Sequence, residues 1–197
     1  MQINFESNDV PDAAFKKLDI KRNTLACHSS ATTAFLAWID APKKVFTPLL
    51  NNQTPIYLIR ADTRFLKPAY FFYSSFELVN SLHLTQVSNL PSLIIRDVLD
   101  PDYIEKQAWH ELIKLATSPM LCPKLGLPFL RNIINQKMPE RLIYSFFHST
   151  KVTVDELCKL NDTTRSQFYS WLPDFNEKFL ADKTHFTLTD IIKAASS

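Results

Sequence analysis

In the second half of the chain, apolar residues recur at three- and four-residue steps, the spacing that aligns them along one side of an α-helix. The stretch "DPDYIEKQAWHELIKLA" follows this pattern, and its acidic beginning favours a helix N-terminus. Two shorter stretches, "PFLRNIINQ" and "PERLIYSFFH", predict further helices, each with proline at the first helical position. The final "FTLTDIIKAASS" predicts one more short helix. The apolar stripe of the first helix comprises Ile104, Ala108, Leu112 and Leu115.

The first half has a different pattern, in which short runs of β-branched and aromatic residues alternate with Pro, Asn and Ser. Three runs, at residues 54–61, 68–79 and 91–99, predict β-strands. A fourth, at residues 30–39, is compatible with a helix or a strand. We therefore predict an α+β fold, with a mixed α/β N-terminal region over residues 1–99 and a helical region over residues 100–197.

Near the C-terminus, two helices separated by a short polar turn are predicted from capping signals. Thr153 and Glu156 have the spacing of a capping box, so a helix should begin at the following residue, Val154. Asn161 and the residue after it tolerate the left-handed conformation that a tight turn requires. Thr164 and Gln167 then repeat the capping-box spacing. These signals predict a helix-turn-helix at residues 153–172.

The second helix of this pair has an apolar side and a polar side. Phe168, Trp171 and Leu172 follow i, i+3 and i+4 spacing, which predicts a face that docks on the protein. The polar residues lie on or near the opposite face, at the end from which a recognition helix contacts base edges. Arg can pair bidentately with guanine, Gln can do so with adenine, and Ser or Tyr can bind phosphate. The polar residues concerned are Arg165, Ser166, Gln167 and Tyr169.

The stretch "ELCKLNDTTRSQFYSWL" resembles the helix-turn-helix of resolvase, transposase and ParB-type proteins. By that resemblance Cys158 takes the small alanine position at the helix crossing, and Thr164 caps the recognition helix. Three residues depart from the family pattern. Asp162 replaces the turn glycine, Thr163 replaces Val or Ile, and Asn161 occupies a position where an apolar residue usually packs. The resemblance implies binding of double-stranded DNA by Thr164, Arg165, Ser166, Gln167, Tyr169 and Ser170.

Two wider resemblances concern the rest of the chain. Residues 122–150 are similar in spacing to the helical FlhD subunit of the flagellar activator, in which an "LG" element precedes two short helices. The order of strands, helices and helix-turn-helix is also similar to that of ParB-type partition proteins, but their arginine-bearing, glycine-rich nucleotide box is absent, so CTP binding is not implied. These resemblances imply a transcriptional regulator or a DNA-binding factor of a plasmid, phage or integrative element.

The composition argues against several kinds of enzyme. The chain of 197 residues contains one glycine, Gly126, where about 7% would be typical, so it has no P-loop, no dinucleotide fingerprint and no nucleophile elbow. Three widely spaced cysteines favour neither a disulfide framework nor a zinc site. The neighbours Cys27 and His28, or Ser29 and Ser30, could serve as nucleophile and base, but no glycine-built oxyanion loop accompanies them. We expect neither catalysis, nor a cofactor, nor a bound metal.

The charge is close to balanced. Residues 1–99 contain 10 Lys or Arg and 8 Asp or Glu, residues 100–197 contain 12 of each, and the net charge is +2. A protein held to DNA by its overall field would be more basic, so binding should depend on a local patch. A single, nearly neutral module gives little affinity, and we therefore expect a homodimer or a heteromeric protein partner.

An alternative function is that of an adaptor, a protein–protein interaction module without nucleic-acid binding. In that case Phe146, Phe147, Phe168 and Trp171 would form a docking surface or a core. The chain has no apolar run of membrane-spanning length, and its start lacks the basic and apolar regions of a signal peptide. For either function we expect a cytoplasmic protein without membrane partners.

Overall fold

The computed structural model describes residues 25–44, 56–60, 70–84, 93–96 and 99–180. In this part of the chain a four-stranded sheet is combined with a larger set of helices, which confirms the predicted α+β class. The helix predicted from "FTLTDIIKAASS" lies outside the described residues. The strands are β1 (Leu25–Cys27), β2 (Ile56–Arg60), β3 (Tyr70–Phe72) and β4 (Leu93–Arg96).

The helices lie mostly after the last strand. Two short ones accompany the sheet, and five follow β4 without an intervening strand in the described residues. None of the described helices is long and apolar enough to cross a membrane. The helices are α1 (Thr32–Asp40), α2 (Phe76–Leu84), α3 (Pro101–Lys114), α4 (Pro123–Lys137), α5 (Glu140–Phe147), α6 (Val154–Leu160) and α7 (Arg165–Phe175).

The sheet is mixed, with strand order β1-β3-β2-β4. Strands β1 and β3 are parallel, β3 and β2 are antiparallel, and β2 and β4 are parallel. Phe72 of β3 lies opposite Cys27 on one side and Leu58 on the other. β2, β3 and β4 fall inside the three predicted strand segments, whereas β1 was not predicted, because a run as short as "LAC" has no periodicity of its own.

The segment at residues 68–79 was wrongly predicted to be a strand throughout. β3 ends at Phe72, and α2 begins at Phe76 after a turn in which Ser75 has a φ of 57°. A positive φ ends an extended strand, and the buried pair Phe76 and Val79 then follows helical i, i+3 spacing. The ambiguous segment at residues 30–39 is largely helical, and most of it belongs to α1.

The core extends across the change from strands to helices. Phe35 of α1 contacts Phe72 of the sheet, with 4.9 Å between ring centroids, and α1 also packs against α3. Buried side chains from both sides of residue 99 belong to one hydrophobic cluster. The predicted boundary at residue 99 marks a change in secondary structure, and its status as a domain boundary stays a prediction.

The predicted apolar stripe is confirmed, since Ile104, Ala108 and Leu112 of α3 are buried, and so is Leu115 in the 3₁₀ turn that follows. The start of the next helix was wrongly predicted at Pro128. Instead α4 begins at Pro123, and Pro128 lies in its second turn, where it removes one intrahelical hydrogen bond. Similarly, Pro139 is the N-cap of α5 and not its first helical residue. The prolines therefore indicated that helices are present but did not mark their first residues.

The single glycine is required for packing. A Cβ atom on Gly126, in the first turn of α4, would lie 2.4 Å from Cδ1 of Leu121. Leu121 is itself 1% exposed, so it has little room to move away. Gly126 therefore permits close approach of the segment that leads into α4, the helix against which α7 packs.

Candidate nucleic-acid interface

Two capped helices joined by a turn lie where the sequence predicts them. At the start of α6, Thr153 Oγ1 accepts from the Glu156 backbone N–H at 3.3 Å, and Glu156 Oε2 accepts from the Thr153 N–H at 2.7 Å. At the start of α7, Thr164 Oγ1 accepts from the Gln167 N–H at 3.2 Å, and Gln167 Oε1 accepts from the Thr164 N–H at 3.0 Å. Both predicted capping boxes are confirmed. The assignment of this pair as a DNA-binding helix-turn-helix stays a prediction.

The turn between the helices accommodates the departures from the family pattern. Asp162, which stands at the position of the turn glycine, has a φ of 50°, in the left-handed region that Asp tolerates better than most residues. The side chain of Asn161 donates to the carbonyl of Ala116, in the 3₁₀ turn after α3. The Thr163 N–H donates to the Cys158 carbonyl at 2.9 Å. Asn161 thus anchors the turn with a hydrogen bond, where the helix-turn-helix pattern that the segment resembles has an apolar residue.

One side of α7 belongs to the core. Phe168 is fully buried and Trp171 and Leu172 are half-buried, so this side docks on the protein as predicted. It packs against α4 and α6. Cys158 of α6 is 5% exposed, and burial raises the pKa of its thiol, so it acts here as a small packing residue. Sequence reasoning did not include Phe175, which is also buried at the end of α7.

All six predicted DNA-contacting residues are exposed, and they lie together at the N-terminal end of α7. Several of them already have partners within the protein. Thr164 and Gln167 form the capping box, and the Ser170 hydroxyl donates to the Gln167 carbonyl at 2.7 Å. Tyr169 is 56% exposed, and its ring contacts that of Phe168 edge to face. The exposed residues are Thr164, Arg165, Ser166, Gln167, Tyr169 and Ser170.

Arg165 forms a two-pronged ion pair with Asp155, a residue that sequence reasoning did not place in the site. Arg165 Nε donates to Oδ1 of Asp155, and Arg165 Nη2 donates to Oδ2. The hydrogen bonds from Arg165 lower the pKa of Asp155, and the same contact raises the pKa of Arg165. Asp155 lies ten positions earlier, in the first turn of α6, so only the relative placement of α6 and α7 brings the two together.

Other acidic residues near this surface also have partners. Glu156 accepts two hydrogen bonds from Thr153, and Asp174 forms a salt bridge with Lys124 of α4. Residues 151–180 contain four Lys or Arg and five Asp or Glu. This segment is therefore close to neutral, and its own charge contributes little to long-range attraction of phosphates.

Gln167 is less available for base recognition than its sequence position indicates. Its side-chain oxygen accepts from both the Thr164 N–H and the Thr164 hydroxyl. Bidentate pairing with adenine needs that oxygen as well as the amide N–H groups. While the capping box is intact, Gln167 can therefore donate a hydrogen bond to DNA but cannot pair bidentately with adenine.

The other candidate sites are explained by local structure. The pKa of Cys27 is raised to about 12, mainly by burial, so its thiol is protonated at neutral pH and is a poor nucleophile. His28 Nδ1 accepts from the Ser30 backbone N–H at 3.2 Å and thereby caps a short 3₁₀ helix. Within the described residues, no group of three or more His, Cys, Asp or Glu side chains is arranged to hold a metal ion.

The aromatic residues named for the adaptor alternative do not form one open surface. Phe168 is fully buried and belongs to the core. Phe146 is half-buried and stacks on His110 of α3 at a centroid distance of 5.8 Å, with Lys106 also near its ring. Phe147 and Trp171 are half-buried and pack at the edge of the core.

Comparisons with known proteins do not assign the chain to a family. No protein-family model matches it, and no curated protein or solved structure is significantly similar to it. The resemblance to resolvase, transposase and ParB-type helix-turn-helix segments therefore depends on the residues of α6 and α7 alone.

Proposed function

We propose that this chain binds double-stranded DNA through the N-terminal end of α7, as a transcriptional regulator or a DNA-binding factor of a mobile element. The single observation that supports this most is the division of α7 into a docked face and an exposed face. Every residue that the family resemblance assigns to DNA is exposed, whereas Phe168, between them in sequence, is fully buried. A recognition helix needs this arrangement, because the side that packs on the protein must be separate from the side that contacts the bases.

In the proposed complex the N-terminal end of α7 enters the major groove. Its backbone N–H groups and positive dipole end favour a nearby phosphate. Ser166 and Tyr169 would bind phosphate oxygens, and Arg165 would contact a base edge. Because the helix pair and the chain as a whole carry little net charge, one copy would bind weakly, so we propose that the functional form is a homodimer that contacts two half-sites about 34 Å apart. We also propose that the protein is cytoplasmic.

A paired substitution tests this function. The variant Arg165→Ala with Tyr169→Ala should reduce binding to a pool of random duplexes by about tenfold or more, because base and phosphate contacts are both lost. Its matched control is Arg141→Ala with Tyr144→Ala on α5, which also removes an exposed, ion-paired arginine and an exposed tyrosine. Fluorescence anisotropy over a range of salt concentrations measures the affinity, and circular dichroism checks that both variants fold.

Two results would count against the proposal. If the α7 pair and the α5 pair changed affinity equally, DNA would not be read by α7. If the unaltered chain bound no duplex at low salt, the adaptor function would become the better interpretation. The proposed dimer is tested separately by light scattering. A chain that stayed monomeric while it bound duplex DNA tightly at physiological salt would contradict it.

A further inference from the structure

The ion pair between α6 and α7 determines which edge of the Arg165 guanidinium remains available. Asp155 accepts from Nε and Nη2, which together form the side edge of the group. A guanidinium has five N–H donors, of which this pair uses two. The end edge, formed by Nη1 and the second N–H of Nη2, remains available and carries two roughly parallel donors.

Two parallel donors suit some ligands better than others. The O6 and N7 atoms of guanine present two neighbouring acceptors in the major groove, and arginine pairs with both. Adenine presents one acceptor and one donor there, so it satisfies the end edge only partly. A phosphate also has paired acceptors, but the carboxylate of Asp155 neutralises much of the charge that would attract a phosphate.

Both partners of the pair are held by their own helices. Asp155 lies in the first turn of α6 behind the Thr153 capping box, and Arg165 is the first residue of α7 behind the Thr164 capping box. The two-pronged ion pair restricts the long side chain of Arg165, which would otherwise sample many rotamers. The Arg165 side chain nevertheless stays 68% exposed. Restriction before binding reduces the entropy lost when a base is contacted.

From these observations we infer that Asp155 is a positioning residue, which holds Arg165 by its side edge and directs its end edge to guanine in the major groove. The inference rests on the proposed DNA-binding function and makes it more specific, because it names the base that is read. In this role Asp155 contributes to the selection of the base, although its negative charge alone opposes the approach of phosphate.

Replacing the N7 atom of guanine tests this directly. Duplexes selected by the unaltered chain from a random pool are resynthesised with 7-deazaguanine, which lacks the N7 acceptor but keeps the rest of the base pair. The unaltered chain should bind the guanine duplexes about tenfold more tightly than the 7-deaza copies. Arg165→Ala should bind both equally. Asp155→Ala should lose most of the guanine preference while binding the 7-deaza copies as tightly as before or more tightly, because a negative charge has been removed.

A matched pair of variants separates positioning from charge. Asp155→Asn and Asp162→Asn make the same chemical change in neighbouring parts of the helix pair, and Asn also tolerates the left-handed conformation at residue 162. Only Asp155→Asn should reduce the preference for guanine, whereas both should raise affinity for the 7-deaza copies by a similar factor. Thermal melting of each variant excludes unfolding as the cause.

The possible failures can be told apart. If Asp155→Ala kept the full guanine preference, even while it bound both kinds of duplex more tightly, Asp155 would be only a competitor for Arg165 and the inference would be wrong. If Arg165→Ala left the preference unchanged, guanine would be read elsewhere, which also contradicts the inference. If the unaltered chain selected no duplex at all, the proposed function itself would fail.

Discussion

The two sides of α7 differ in how they are held, although they belong to the same eleven residues. The buried side is fixed by tertiary packing, with Phe168 at 0% and Phe175 at 3% exposure. The exposed side is organised by polar contacts, through the Thr164 capping box at the start of α7 and the ion pair of Arg165 with Asp155 of α6. Stability and candidate function therefore depend on different residues of one helix, and substitutions should separate them.

The largest effect is expected on the buried side. Phe168→Ala should lower the free energy of unfolding by about 3–5 kcal/mol, because it removes a fully buried ring between α7 and the helices that support it. Urea denaturation measures the change. Phe168→Leu keeps an apolar side chain of similar volume and should lose about 1.5 kcal/mol or less.

Loss of duplex binding by Phe168→Ala would follow from partial unfolding, so Phe168→Leu provides the informative comparison. This variant should bind duplex DNA as the unaltered chain does under conditions in which both are folded. A chain in which Phe168→Ala cost less than about 1 kcal/mol would contradict the assignment of this ring to the core.

An intermediate effect is expected from the two capping boxes. Thr153→Ala and Thr164→Ala should each lower the free energy of unfolding by about 1 kcal/mol, because each removes the acceptor for an N-terminal N–H group. Denaturant titration measures both values. Their effects on duplex binding should differ, since only Thr164 lies at the proposed reading end of α7, and Thr164→Ala also releases Gln167 from its role in the cap.

The two Thr variants are controls for each other. If both weakened duplex binding by the same factor, the loss would reflect the stability of the helix pair as a whole. If Thr153→Ala weakened binding and Thr164→Ala did not, the reading end of α7 would be assigned wrongly.

Features that depend on neighbours in sequence could be predicted. The capping boxes, the apolar stripe of α3 and the left-handed turn at Asp162 each follow from residues within one helical turn of one another. Their physical causes are local hydrogen bonds, backbone sterics and helical periodicity, which a single sequence displays directly. The six residues predicted to contact DNA, at the N-cap and on the exposed side of α7, could be located for the same reason.

Features that depend on distant segments could not be predicted. The strand order β1-β3-β2-β4 and the short β1 result from pairing between segments far apart in sequence. Pro128 is tolerated inside α4 because the rest of that helix is held by its buried side, a condition that no local rule includes. The pair of Asp155 with Arg165 requires the crossing of α6 and α7, and this pair decides which donors of Arg165 remain available.

The smallest effect on stability is expected from a single hydroxyl on the exposed side. Tyr169→Phe should change the free energy of unfolding by less than about 0.5 kcal/mol, because the side chain is 56% exposed and its ring is kept. Duplex affinity should nevertheless fall by about fivefold, the value of one hydrogen bond to a phosphate oxygen. The matched control is Tyr144→Phe on α5, where the tyrosine is 59% exposed. Equal affinities for the two variants would show that the Tyr169 hydroxyl does not bind phosphate.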